Sequence, residues 1–274
     1  LRQKDGELYF IGSLGESTGY TGFQLNAAEH QLIISKEVEG LQLSKKSYVA
    51  FDLIFTQGDD QTVFGQYEKA FQGSNTSSAK PALGWTSWYH YYTDITEEII
   101  LENLNAFKDN KVPIQMFQID DGYQKSVGEW TEANKKFPKG MKYIADEIHD
   151  GGYKAGIWLA PFICEKKSAI TKEHPDWLLQ DKKGKPIKAG LNPGWSGAYY
   201  ALDIYNPEVR AYIAEVLDTV FNAWGYDMIK VDFLFAAAIK PPDYKTKGEV
   251  MTDAMEILRQ LAGDKLILGC GVPL

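Results

Sequence analysis

The chain has 274 residues, of which 44% are hydrophobic and 24% charged, the usage of a folded globular protein rather than a disordered or collagen-like one. No window holds the roughly 20 uninterrupted apolar residues that a membrane span requires, and 29 basic against 37 acidic residues, a net charge of -8, lack the footprint of a nucleic-acid binder. The length suits one α/β barrel of about 250 residues or two ordinary domains.

From Leu8 to about Phe55 short β-type runs, Leu32-Ile33-Ile34 and Ser47 to Phe55 among them, are separated by Gly, Ser, Asn and Gln. This reads as antiparallel sheet or sandwich. Asp59 to Phe71 has a helical pattern, and the small, polar, Pro-terminated run Gln72 to Pro81 marks a domain boundary. After Pro81 apolar strand-like runs at 82–88, 114–120, 154–160, 228–235 and 266–272 alternate with amphipathic segments at 95–109, 139–150, 207–224 and 248–262. That alternation predicts βαβ units on a parallel sheet.

End signals support the helices. Asp94 with Glu97 reads as a capping box, and Asn206-Pro207 as an N-cap followed by Pro at the first helical position. Val209, Tyr212, Ile213, Val216 and Val220 form one apolar stripe with Gly225 as the stop. Helix-to-strand links are short, whereas the links after Asp121 and after Pro161 are long. In parallel α/β folds ligands bind beyond the carboxyl ends of the strands, so function is sought there.

The first run ends in Trp85-Thr86-Ser87-Trp88, where a Trp can be a packed barrel mouth or a sugar platform. The second ends in Asp120-Asp121-Gly122, a plain turn or a pair of acceptors for a hydroxyl-rich ligand. The third brings Trp158 to the same end. In the fourth, Lys230 and Asp232 share a strand face, which makes them either a structural ion pair or an ionised nucleophile with its ammonium neighbour. The fifth ends in Gly269-Cys270-Gly271. Cys164 and Cys270 stand in no paired motif and His30, His90, His149 and His174 are scattered, so neither a disulfide framework nor a metal site is expected. No cofactor is expected either, because no phosphate-cradling glycine loop is present. Asn75-Thr76-Ser77 is a formal glycosylation sequon, Lys45-Lys46 is a solvated pair, and the cysteine usage with no signal segment favours a reducing, cytoplasmic compartment.

In their order, Leu83-Gly84-Trp85, Gln118 to Gln124, Gly156 to Pro161, His174-Pro175-Asp176-Trp177, Asn206 to Arg210, Lys230-Val231-Asp232 and Gly269 to Leu274 resemble the α-galactosidases of glycoside hydrolase family 36, from about Pro81 to the last residue. The resemblance implies strands 1–5 of a (β/α)8 TIM barrel over 81–274, preceded over 1–80 by the end of an antiparallel β-sandwich. It also implies a retaining hydrolase of melibiose- or raffinose-type α-galactosides, with homo-oligomers expected. Asp232 matches the nucleophile, Lys230, Asp120 and Asp121 match residues that bind galactose hydroxyls, and Trp85, Trp158 and Cys270 match pocket positions. The family's acid/base Asp lies on a sixth strand, hence beyond Leu274, and neither Glu165 nor Glu129 takes that role by resemblance. A galactosyl transferase, an α-N-acetylgalactosaminidase and a non-catalytic galactose-binding relic are the alternatives.

Overall fold

The computed structural model describes residues 6–43, 47–71, 80 and 82–272. The boundary run Gln72 to Pro81, apart from Lys80, the sequon at Asn75, the Lys45-Lys46 pair and Pro273-Leu274 lie outside the described residues. The chain divides into two compact units, Leu1–Lys80 with Pro241–Thr252 and Pro273–Leu274, and Pro81–Lys240 with Asp253–Val272.

In the first unit β1 (Leu8–Ser13), β2 (Thr21–Asn26), β3 (Gln31–Lys36) and β4 (Leu53–Gly58) precede α1 (Asp60–Phe71). They form two separate antiparallel pairs, β1 with β4 and β2 with β3. A face-to-face sandwich is not seen among the described residues. The run from Ser47 is strand only from Leu53, because pairing with β1 starts at Leu53↔Ser13, and Val49 is left 73% exposed. The α1 helix covers β1: Val63 is buried, the Phe10 ring meets Phe64 at 5.8 Å and Tyr67 at 5.1 Å, and Tyr67 donates its hydroxyl to the Ser13 carbonyl at 2.9 Å.

The second unit runs β5 (Gly84–Thr86), α2 (Trp88–Tyr91), α3 (Glu97–Asp109), β6 (Met116–Ile119), β7 (Gln124–Ser126), β8 (Glu129–Ala133), α4 (Gly140–Asp150), β9 (Lys154–Leu159), β10 (Ile163–Glu165), α5 (Ile170–Glu173), β11 (Lys188–Asn192), β12 (Gly197–Ala201), α6 (Pro207–Asp218), β13 (Met228–Val231), α7 (Lys247–Ala262, its last residues from Asp253 on) and β14 (Leu266–Gly269). The five strands expected from the apolar runs form one parallel sheet in chain order, β5-β6-β9-β13-β14. All of β6 and all but the first residue of β9 are buried. Strands covered on both faces explain why their sequences read as apolar runs rather than alternations.

Two local expectations shift. The N-cap of α3 is Thr96, whose hydroxyl accepts from Ile99 N at 3.2 Å, and not Asp94. Asn206 does cap α6, accepting from Glu208 N at 2.9 Å, but the helix loosens into a π turn over Thr219–Ala223 before Gly225 (φ 85°) ends it. The two long links are structured: β7 and β8 form a hairpin, and β10-β12-β11 an antiparallel sheet. No helix among the described residues is long and apolar enough to cross a membrane.

Candidate active site

Side-chain parity along the sheet decides which residues meet. Gln118 is level with Gly156, Gly156 with Met228, and Trp158 with Lys230, so these side chains point to one face. A Cβ at Gly156 would stand 2.6 Å from Met228 and 3.1 Å from Gln118, which is why the strand carries glycine where this face is crowded.

At the carboxyl end of this face Lys230 Nζ donates to Asp120 Oδ2 at 2.8 Å, with Lys230 13% and Asp120 2% exposed. Gln118 Nε2 donates to the same oxygen at 2.9 Å, Asp121 N to Oδ1 at 2.9 Å, and Asp120 N to Ser87 Oγ at 2.9 Å. A buried charge held this way is tolerated because the ammonium and two further N–H donors meet its two oxygens. Burial acts to lower the Lys230 ammonium, but the hydrogen bond and charge of Asp120 outweigh it and hold the group above the ordinary lysine value. The ammonium partner of Lys230 is therefore Asp120, and the two-residue spacing to Asp232 does not make an ion pair between those two.

Asp232 follows β13. Its Oδ2 accepts the Trp158 indole N–H at 3.3 Å and its Oδ1 accepts Phe233 N at 2.8 Å, with Phe233 in the left-handed region at φ 54°. A bulky residue there is strained, a feature concentrated at functional sites. Burial of Cys270 together with the charge of Asp232 raises its thiol. Cys164, by contrast, is a core thiol pushed up to about 12 by burial, and both cysteines are free.

Asp121 is 3% exposed, yet both its oxygens are used: Oδ1 accepts Gln124 Nε2 at 2.6 Å and Oδ2 the Trp195 indole at 2.8 Å. The turn that carries it depends on Gly122 (φ 122°), where a Cβ would stand 2.6 Å from the Thr93 carbonyl. Burial raises the Asp121 carboxyl, the Gln124 and Trp195 hydrogen bonds oppose this, and the charges of Asp120 and Glu165 add to it. A raised folded value means that this group's contribution to stability is full below the ordinary aspartate range and is lost as pH rises through the raised value. A ligand hydroxyl donating to this carboxylate needs the ionised form, so binding of such a ligand would weaken on acidification already above the ordinary carboxylate range. Titrating 1/KM against pH checks this.

Trp85 is not part of this set. It pairs with Phe117, on the face opposite Gln118, stacks on that ring at 4.2 Å and meets Phe107 of α3 at 6.4 Å. Its place is the packing of helix on sheet. Trp85→Ala should cost about 3 kcal/mol of stability, in line with large-to-small core changes, and leave KM unchanged; chemical denaturation and steady-state kinetics read the two effects separately.

Sequence reasoning missed Trp195, Gln118, Gln124 and Ser87. Trp195 comes from the tip between β11 and β12, within 6.4 Å of the Trp158 ring, 5.1 Å of Phe233 and 5.3 Å of Tyr199. A lone Trp in the turn-forming run Asn192-Pro193-Gly194-Trp195-Ser196-Gly197 was the available signal. Glu165 does not fit a proton donor: Ser126 Oγ, Val127 N and Ser196 N all donate to it, and against the effect of burial they hold it below the usual carboxylate range. Glu129 is engaged by Lys125 at 3.2 Å and by Ala169 N at 3.1 Å. Among the described residues no cluster of His, Cys, Asp or Glu is arranged to hold a metal ion.

The family model of melibiases matches residues 61–252. The chain belongs to the melibiase family. Among curated relatives, the α-galactosidase Mel36A of Lactobacillus acidophilus is 30% identical over 61% of this chain and 22% of its own length. The A type blood α-D-galactosamine galactosaminidase of Flavonifractor plautii is 26% identical over 70% of this chain and 19% of its own. The Thermus thermophilus α-galactosidase, solved with p-nitrophenyl α-D-galactopyranoside, is 33% identical and superposes with a TM-score of 0.79 over all of this chain and 52% of that one. The chain thus spans less than a quarter of the length of these curated relatives. Family and neighbours place the parallel sheet in a TIM-barrel-type fold.

Proposed function

We propose that this chain carries the nucleophile and much of the sugar-binding set of a retaining α-galactosidase. The observation that carries the reading is the half-buried carboxylate of Asp232 at the same strand ends as the buried Lys230–Asp120 pair, with the Trp158 indole on Asp232. Asp232 attacks the anomeric carbon and the glycosidic bond breaks, giving a covalent galactosyl-aspartate that water then hydrolyses. Trp158 and Phe233 N orient the carboxylate by donating to its two oxygens. Asp120, Asp121 and Lys230 bind hydroxyls of galactose, which suits a set of buried acceptors around one ammonium. Cys270, beside Asp232, lines the same pocket.

A retaining enzyme needs a second carboxyl group about 5–5.5 Å from the nucleophile, and Glu165 and Glu129 are committed elsewhere. We place that group beyond Leu274. In the same reading 81–274 is the first five strands of a (β/α)8 barrel and 1–80 the end of a β-sandwich domain, the substrates are α-galactosides of melibiose or raffinose type, and the protein works as a homo-oligomer. The names of the Lactobacillus and Thermus relatives support hydrolysis of α-galactosides; that of the Flavonifractor relative keeps a 2-amino sugar, galactosamine, in view. Assay of the full-length protein on an aryl α-galactoside tests the reading, with release of the aryl group expected and no turnover fatal to it. Galactose should compete better than N-acetylgalactosamine.

A further inference from the structure

The hydrogen bonds that hold Asp121 close on themselves. Gln124, which donates to Asp121 Oδ1, opens β7; Ser126, which ends it, donates its hydroxyl to Glu165 Oε1 at 2.7 Å, and Val127 N donates to the same oxygen at 3.0 Å. Glu165 Oε2 accepts Ser196 N at 2.6 Å, and Ser196 follows Trp195, whose indole completes the circuit at Asp121 Oδ2. Two hairpin tips, β7–β8 and β11–β12, are thus tied by one carboxylate that is 8% exposed.

Asp121, Gln124, Ser126, Glu165, Trp195 and Ser196 are among the residues that line an open cavity of about 540 Å³. The three hydrogen bonds of the Glu165 carboxylate bridge the two tips beside it. Only a group with two acceptor oxygens and no donor matches a ring of three donors, two of them backbone N–H.

We infer that Glu165 is a positioning residue for the galactoside site: it clamps the two hairpin tips so that Gln124 and Trp195 hold the Asp121 carboxylate in one orientation toward substrate hydroxyls. This rests on the role proposed above for Asp121. The clamp acts on binding in the ground state and the transition state alike, so its loss raises KM and spares kcat.

Glu165→Gln tests it, because the amide turns an N–H onto one of the three donors whichever way it is placed. In the full-length protein KM for an aryl α-galactoside should rise about tenfold with kcat held within about threefold. Without substrate, the indole N–H resonance of Trp195, assigned with Trp195→Phe, should move upfield and exchange faster with solvent. Ser126→Ala, which removes one donor and folds more readily, should shift both readouts in the same direction by less. An unchanged KM and indole resonance in both variants overturns the clamp, as does a loss confined to kcat. If the unaltered protein turns over no α-galactoside, the functional reading fails, while the indole resonance still decides the clamp.

Discussion

Asp232→Ala should lower α-galactoside turnover by about 10⁴-fold or more, the scale seen when a group that forms a covalent intermediate is removed, equivalent to about 5 kcal/mol of barrier. The fold should survive. Asp232 gives up two hydrogen bonds, one a 3.3 Å contact from Trp158 and one from its neighbour Phe233, and it lies at the end of β13 rather than in the core. Its removal should change stability by no more than about 1 kcal/mol. A fluorinated galactosyl donor, which slows breakdown of the covalent intermediate, should leave its label on Asp232, and peptide mapping reads the position. A label on Asp120, Asp121 or Glu165, or full turnover in Asp232→Ala, sinks the assignment. The strained Phe233 backbone belongs to the same picture: the residue whose N–H donates to Asp232 Oδ1 stands at positive φ, a conformation that costs about 1–3 kcal/mol and is concentrated at functional sites.

The parallel sheet was legible because strands covered on both faces need continuous apolar runs, and helices between them need stripes and caps; these are local demands. Position at a strand end was legible too, since the long and short links alternate consistently. Registration between strands was not. Whether Trp85 or Trp158 faces the site depends on Trp85 lying level with Phe117 and Trp158 with Lys230, and no residue of either strand encodes that by itself. The same holds for the partner of Lys230. Asp232 is two residues away and Asp120 is 110 away, yet the nearer carboxylate turns out at the strand end while the farther one stands beside the ammonium. Trp195 was hidden for another reason. It sits in a long link that forms its own antiparallel sheet, and a turn rich in Gly, Pro and Asn carries no periodicity to mark it. In the first unit, short β-type runs suggested antiparallel sheet or sandwich; the described residues pair antiparallel, as two separate two-stranded sheets, and which strand pairs with which is something a short-range pattern cannot name.

Lys230→Met should be the most destabilising single change in the site, costing about 3–5 kcal/mol, the typical penalty for breaking a buried ion pair from one side. The methionine fills much of the lysine's volume, so the loss is electrostatic rather than a cavity: Asp120, 2% exposed, keeps Gln118 Nε2 and Asp121 N but loses the ammonium at 2.8 Å. Pairing the change with Asp120→Leu should recover only part of the stability, since it removes the unpaired buried charge but takes the acceptor from Gln118 Nε2 and Asp121 N. Activity should stay lost in both. The pH dependence provides an independent check. Asp120 holds Lys230 above the ordinary lysine value, so the pair's contribution is complete below that value and is lost as pH rises through the raised one. Urea midpoints measured from neutral to strongly alkaline pH should therefore fall for the unaltered protein, with a component of that slope absent in Lys230→Met. A single-variant loss under about 1 kcal/mol would mean that the pair is solvated, and a solvated ammonium and carboxylate could not serve as the desolvated sugar-binding pair on which the functional reading depends.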